Sequence, residues 1–225
     1  MEIECSSAFN VLPNNIVVDI LARVAANSID DFFNAKISCK IFNKLAEEDY
    51  IYQQISINKI PDIMWRHAEE GNAFIKRCIK CNNLEALYME GLKTYISLGK
   101  VELGMELLKR AAQIGHFGAS YAIGLLLVGE DGELLEEGVR LLRQVYASGR
   151  VVECRKKFLH VMHNIWWKYA SFFKKEPPRY YCPMETKHRK KRGWVCDINH
   201  YVETECEQCI CRAEIEILCE YRRRP

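Results

Sequence analysis

The chain repeats itself at a fixed interval, and that interval restricts its fold more than any other feature. Phe74-Ile75-Lys76-Arg77-Cys78-Ile79 aligns with Leu107-Leu108-Lys109-Arg110-Ala111-Ala112, thirty-three residues later. The same register pairs Ala86 with Ala119, Tyr88 with Tyr121 and Gly91 with Gly124. A further echo, thirty-four residues on, sets Leu141-Leu142-Arg143 and Gly149 against Leu107-Leu108-Lys109 and Gly115. A period of this length marks stacked helical hairpins, in which no single pair buries its apolar face alone. Ala86, Gly91, Ala119, Ala122 and Gly124 are small enough to let neighbouring helices approach closely. Gly99, Gly115, Gly129 and Gly149 stand where helix C-caps are expected. Residues 151–175 read as one more helix, whose Phe158, Leu159, Met162, Ile165, Trp166 and Tyr169 would seal the end of the stack.

The run Glu106-Leu107-Leu108-Lys109-Arg110-Ala111-Ala112-Gln113-Ile114-Gly115-His116-Phe117-Gly118-Ala119-Ser120-Tyr121-Ala122-Ile123-Gly124 resembles a Sel1-like repeat, a relative of the tetratricopeptide repeat. The junctions at 78–91 and 145–150 are degenerate: Asn82-Asn83 replaces Gly-His, and Val145-Tyr146 replaces Ala-Ala. About two repeats with ragged ends are expected. The resemblance implies a concave face that binds peptides or proteins, not catalysis. The bland alternative is a folded body that only spaces other parts. His116 belongs to the repeat signature and is expected to make local hydrogen bonds at the junction.

Upstream, Leu12-Pro13 opens a helix, since proline tolerates the first turn, where its missing N–H costs nothing. Ile16, Val17, Ile20, Leu21 and Val24 then follow as one apolar stripe. A second helix is expected after Ser28, with Asp31 three residues on in a near capping box, continuing through Phe32, Phe33, Ile37, Ile41 and Phe42. Three such short helices fall below the size that sustains its own core, so the segment calls for a partner. The ordered set Leu12-Pro13, Val17/Ile20/Leu21/Val24 and Ser38-Cys39-Lys40-Ile41-Phe42 resembles an F-box, over roughly residues 8–58. Phe42 stands where many members carry Trp, one large aromatic for another. The run from Asn34 to Asn43 is similar to a group of plant F-box proteins whose F-box precedes a small helical repeat region. The resemblance implies docking on a Skp-type adaptor, and through it on cullin. Leu12, Pro13, Ile16, Val17, Ile20, Leu21, Val24, Ile37 and Phe42 would supply apolar contact and Lys40 a polar contact at the rim. The bland alternative is a helical hairpin whose stripe packs on the rest of the chain.

Lys174-Lys175-Glu176-Pro177-Pro178-Arg179 reads as a boundary, because helix ends rarely survive two prolines. Of the chain's eleven cysteines, Cys5, Cys39, Cys78, Cys81 and Cys154 are scattered and read as small hydrophobes. Cys182, Cys196, Cys206, Cys209, Cys211 and Cys219 crowd the tail. Cys206-x-x-Cys209 lets two thiolates face one ion, and Cys196-x-x-x-His200 precedes it, a possible set of four zinc ligands. Cys182 and His188 are alternates, and a partly disordered tail with reduced cysteines is the bland reading. No cofactor beyond such a structural zinc is called for. His160 and His163 are three apart on a helix, but no carboxylate or cysteine sits at matching spacing beside them, so they read as core or solvated residues. The basic run Lys187-His188-Arg189-Lys190-Lys191-Arg192 reads as a solvated loop, with nuclear import as the alternative. Glu203, Glu205, Glu207, Glu214, Glu216 and Glu220 offset it, which argues against nucleic-acid binding.

Among 225 residues the net charge is +2, so no global field draws the chain to nucleic acid or an anionic membrane. Met1-Glu2-Ile3-Glu4-Cys5 is not a secretory start, and no apolar run approaches a membrane span. The expected location is the nucleus and/or cytoplasm. No nucleophile–base pair, Gly-rich phosphate loop or carboxylate dyad appears, so the chain is not expected to be an enzyme. The expectation is an all-α chain: a three-helix F-box at 8–58, a short α-α repeat stack with its terminal helix at 62–174, and a small Cys/His-rich irregular tail at 177–225. Its expected role is the substrate-recognition subunit of an SCF-type E3 ubiquitin ligase. There it would hold the adaptor by the F-box and an unknown target protein by the repeats, the tail or both. A non-catalytic repeat scaffold acting outside the ligase is the rival.

Overall fold

A computed structural model describes residues 12–57, 69–166 and 206–223 of the chain. Its described residues form helices and no strands, in two compact units, 1–87 and 88–225. The dividing point falls inside a helix of the repeat region. The boundaries expected near 58–62 and 174–177 lie in segments outside the described residues.

In the first unit α1 (Asn14–Asn27), α2 (Ile29–Ser38), α3 (Lys40–Leu45) and α4 (Asp49–Gln54) follow one another with minimal turns. Pro13 is the N-cap of α1, its carbonyl accepting from the Ile16 N–H at 3.0 Å. Ser28 caps α2 as expected, its hydroxyl oxygen accepting from the Asp31 N–H at 3.2 Å. The stretch expected as one helix through Phe42 is divided in two, because Cys39 is extended at φ −158° and ψ 161° and restarts the helix. Cys39 also departs from the reading of the scattered cysteines, being disulfide-bonded. Helix α1 packs against α2, α3 and α4, and the core they share holds Val17, Leu21, Ala25, Phe32, Leu45, Ile51 and Ile55. Helix α5 (Glu69–Lys80) joins this unit through Phe74, whose ring lies 5.8 Å from Phe33 and 6.0 Å from Tyr52.

The repeat region holds three helical hairpins: α5 with α6 (Leu84–Leu92), α7 (Val101–Gln113) with α8 (Phe117–Leu127), and α9 (Glu133–Ala147) with α10 (Val151–Trp166). In the second unit the repeat shows as a recurring close approach. A Cβ added to Gly91 would stand 2.9 Å from Leu108 Cγ, and one added to Gly124 2.8 Å from Leu142 Cγ. Each small residue thus receives the leucine of the following hairpin. Helix α6 ends in a π-helical turn, Lys93–Ser97, against which Gly104 of α7 packs so tightly that a Cβ would lie 2.5 Å from the Tyr95 nitrogen. Gly99, Gly115 and Gly149 adopt positive φ as expected of C-caps. Gly129 does not. The positive φ in that loop, 64°, belongs to Gly132, which precedes α9 as its N-cap.

The tail differs from the irregular segment expected. Residues 206–223 contain a helix, α11 (Glu207–Arg223), whose Ile210, Ala213, Glu214 and Ile217 line one buried face. Spacings of three and four among those residues give a helical stripe, and the glutamate inside it hid the pattern. Helix α11 packs on α8 and α9.

Candidate partner-docking surface

Helix α1 carries two apolar stripes. Val17, Leu21 and Ala25, four apart, face inward, with Val17 and Leu21 each 2% exposed. Ile16 and Ile20, also four apart, face outward, Ile20 being 41% exposed, and Leu12 stands exposed just before the helix begins. In a helix, neighbours such as Ile16 and Val17 point about 100° apart. The five residues read as one stripe are therefore wide enough to serve a core and a surface at once. Val17 and Leu21 are corrected from adaptor contacts to core residues, sheltered within the first unit. Val24 is half-buried, Pro13 exposed, and Phe42 half-buried on α3. Ile37, on α2, is 77% exposed, and Lys40 opens α3 in solvent. Phe33, absent from the expected contact set, is exposed one turn before Ile37.

Charged and polar contacts hold the surface's support in place. Lys36 pairs with Glu47, whose carboxyl that hydrogen bond keeps below its usual range. The Tyr52 hydroxyl donates to Glu47 Oε2 at 3.2 Å, and burial followed by the Glu47 charge pushes it up to about 12. Arg77 of α5 pairs with Asp49, donates to the Glu47 carbonyl at 3.3 Å and lies 5.3 Å over the Tyr52 ring. Asn83 is buried beneath these contacts. Its Nδ2 donates to the carbonyls of Tyr52, Gln53 and Ile55 at 2.9, 3.1 and 2.8 Å, while its Oδ1 accepts from the Ala86 N–H at 3.0 Å. Asn83 thereby ties the end of α4 to the start of α6.

The degenerate junction turns out to be an equivalent one. Asn82 takes the left-handed backbone, φ 60°, that Gly115 takes at 101°. Asn83 caps α6 through Oδ1 as His116 caps α8, where Nδ1 accepts from the Ala119 N–H at 2.9 Å. His116 therefore has the local role expected of it, its ring tilted against Tyr88 with centroids 4.7 Å apart.

The second unit contains a buried polar group that the sequence reading missed. Glu214 of α11 and Arg155 of α10 are both 0% exposed and form a two-pronged pair, Nε to Oε2 at 2.9 Å and Nη2 to Oε1 at 2.5 Å. The hydroxyls of Tyr121 on α8 and Tyr146 on α9 donate to the same carboxylate, Tyr121 at 2.6 Å. Burial, then the Glu214 charge, raises both tyrosine hydroxyls above their ordinary value. Burial alone would lower the Arg155 guanidinium, but Glu214 outweighs it and holds it up. With both carboxylate oxygens doubly engaged, the carboxylate is satisfied and α11 is fixed in register. The signal available in the sequence was Glu214 interrupting the Ile210/Ala213/Ile217 stripe.

Of the zinc candidates, Cys206 stands half-buried at the start of α11 and Cys209 is buried on it, while Cys196, His200, Cys182 and His188 lie outside the described residues. Among the described residues no three His, Cys, Asp or Glu side chains group as a metal site, and no helix is long and apolar enough to cross a membrane. Cys78, Cys154 and Cys211 are buried free thiols, pushed up by burial to about 12, 11 and 12. That makes them unreactive packing residues. His160 is exposed on α10, and so is His163.

An all-α chain with a short N-terminal helical unit, an outward apolar stripe on its first helix and a period-33 hairpin stack is defined by these observations. Residues 58–163 match the family of plant tetratricopeptide repeats. The chain is 27% identical over 73% of its length to the Arabidopsis thaliana protein named "Putative F-box protein At1g67623", spanning 57% of that protein. It is 26% identical over 64% of its length to F-box protein At1g67340 of the same plant, spanning 40% of it. It is 25% identical over 54% of its length to F-box protein At2g35280, also from that plant, spanning 74% of it. No solved structure matches. These relatives carry names of plant F-box proteins, and over more than half of its length this chain is similar to them.

Proposed function

We propose that this chain is the substrate-recognition subunit of an SCF-type E3 ubiquitin ligase. In this reading the N-terminal unit docks a Skp-type adaptor, and through it cullin, while the repeat unit or tail holds a target protein. The observation that carries it is the outward pair Ile16 and Ile20, with Leu12 exposed just ahead of them, on a helix whose other apolar stripe already fills the unit's own core. Covering half-exposed isoleucines and leucines contributes about 0.75–1.5 kcal/mol each, half the value of full burial, before ordering costs. Pro13 shapes the entry to that helix, Ile37 extends the apolar surface on α2, and Lys40 offers a rim charge. The chain's own part in such a ligase is proximity, with the transfer chemistry on other subunits.

The test is co-purification of the full chain with a Skp-type adaptor, compared with the Leu12→Ala/Pro13→Ala variant. Capture lost on that double change supports the reading; capture that survives it counts against. The rival, a scaffold working outside the ligase, predicts complexes that contain adaptor and never cullin. A structural zinc held by Cys196, His200, Cys206 and Cys209, with Cys182 and His188 as alternates, is a further part of the proposal. Metal content of the purified chain before and after Cys206→Ser tests it. Residence in the nucleus and/or cytoplasm is proposed as well, and imaging of the tagged full chain tests that.

A further inference from the structure

The turns that lead from one hairpin into the next leave apolar side chains in solvent in the second unit. Leu98, Val101, Leu103 and Leu134 are each close to half exposed. They stand at the π-helical turn after α6, the first turn of α7 and the first turn of α9. A soluble chain usually keeps such a run of leucines covered, so a grouped set at one edge of a repeat stack marks an interaction surface. The packing described above holds these turns rigidly, because Gly104 seats α7 directly on Tyr95 and the Lys100 N–H donates to the Thr94 carbonyl at 3.1 Å.

The charges around these leucines say what would cover them. Glu102, Glu130, Asp131, Glu133 and Glu136 are all exposed, against one exposed lysine, Lys100, in the same turns. Glu130, from the turn before α9, and Glu102, from α7, both act on the Tyr95 hydroxyl, which burial first and then these charges keep above its ordinary value. Val101 and Leu134 open successive hairpins one repeat period apart, so the two acidic turns lie on the same edge of the stack. An anionic membrane or a nucleic acid would be repelled by it, whereas a cationic segment would be steered to it.

We propose that this edge of the repeat unit is a docking surface for a basic amphipathic helix of the target protein, its leucine-type side chains meeting Leu98, Val101, Leu103 and Leu134 and its lysines or arginines meeting the surrounding carboxylates. The proposal rests on the reading that the repeat unit holds the target, and it names the kind of target. Recognition of this sort combines apolar anchors at helical spacing with charge complementarity at the rim.

The experiment uses the full chain and a fluorescent synthetic helix of lysines carrying leucines at positions i, i+4 and i+7. A second peptide with the same leucines and glutamates for lysines is the control. The wild-type chain should bind the basic peptide in a salt-dependent way and ignore the acidic one. Glu102→Lys/Glu130→Lys should weaken binding of the basic peptide at least about tenfold and give the acidic peptide measurable affinity. Leu98→Ser/Leu134→Ser, with the charges intact, should weaken the basic peptide by about fivefold or more. These positions are in solvent, and circular dichroism of each variant checks that the helices persist. Binding by both variants within twofold of wild type overturns the proposal, as does no binding by wild type. Self-association of the wild-type chain that the leucine pair abolishes also overturns it, since the occupant would then be a second copy. Adaptor capture by the same variants is expected at wild-type level. A failed peptide titration with intact adaptor capture therefore sinks this inference alone, and lost capture in the Leu12→Ala/Pro13→Ala variant speaks only to the adaptor.

Discussion

Replacing Glu214 with alanine tests the packing of the second unit at its most heavily satisfied polar group. In the wild type one carboxylate, wholly buried, receives two bonds from Arg155 and one each from Tyr121 and Tyr146. The Glu214→Ala change strands the Arg155 charge at zero exposure and leaves two buried hydroxyls without their acceptor. Removing one partner of a buried ion pair costs about 3–5 kcal/mol, chiefly because the remaining charge is uncompensated. The two tyrosines add to that loss, so about 3 kcal/mol is a lower bound. For a unit of this size the melting temperature should fall by roughly 6–20 °C. Removing both charges together, Arg155→Met with Glu214→Leu, should recover the share owed to the stranded charge, while the cost at the Tyr121 and Tyr146 hydroxyls persists. The assay is urea unfolding of the full chain followed by circular dichroism, with each single variant and the pair. A Glu214→Ala variant that loses less than about 1 kcal/mol would refute the reasoning. So would a double variant no more stable than the single.

Three further outcomes follow from the same structure. Asn83→Ala should destabilise the first unit by about 2–4 kcal/mol, since three carbonyls lose their donor and α6 loses its cap; Asn83→Asp, which keeps the capping oxygen only, should recover little of it in urea unfolding. Gly124→Ala should cost about 1–3 kcal/mol, because the added methyl meets Leu142 and the Gly138 carbonyl; Gly149→Ala, where the space is open and only φ 72° opposes it, should cost about 1 kcal/mol. Stability should also fall in alkali. Buried Cys78 and Cys211 have folded values raised to about 12 from 9.0, and Tyr52 is raised to about 12 from 10.0. Groups raised in the folded state give stability that is complete below their unfolded values and is lost as pH rises through the folded ones. Thermal melts should therefore be flat to about pH 9 and drop progressively toward pH 12, and an unchanged melt at pH 11 would contradict the burial of these groups.

The fold was legible where spacing alone decides it. The interval between Leu107-Leu108 and Leu141-Leu142 specifies tandem hairpins, and Gly91 and Gly124, small residues one period apart, mark the close approaches the structure shows. What spacing could not separate was Ile16 from Val17: adjacent apolar residues on a short helix face a core and a surface in turn, and only the neighbours decide which. Asn82-Asn83 looked like a lost junction because the side chains changed, whereas the requirement is a left-handed residue followed by a capping acceptor, which asparagine supplies twice. Glu214 was read as one of several tail charges offsetting a basic run. A carboxylate becomes a core residue only when an arginine and two tyrosines from helices 59 to 93 residues away converge on it, and no local pattern states that.

Adaptor docking through the outward stripe of α1 is tested most sharply by calorimetric titration of a purified Skp-type adaptor against the full chain. The Ile16→Asp/Ile20→Asp variant should lose at least about tenfold in affinity, the equivalent of two isoleucines at about 0.75 kcal/mol each, with the melting temperature unchanged. Val17→Ala should do the opposite, lowering the melting temperature and leaving the affinity of the folded chain intact. Adaptor affinity within twofold of wild type in the Ile16→Asp/Ile20→Asp variant would contradict the account.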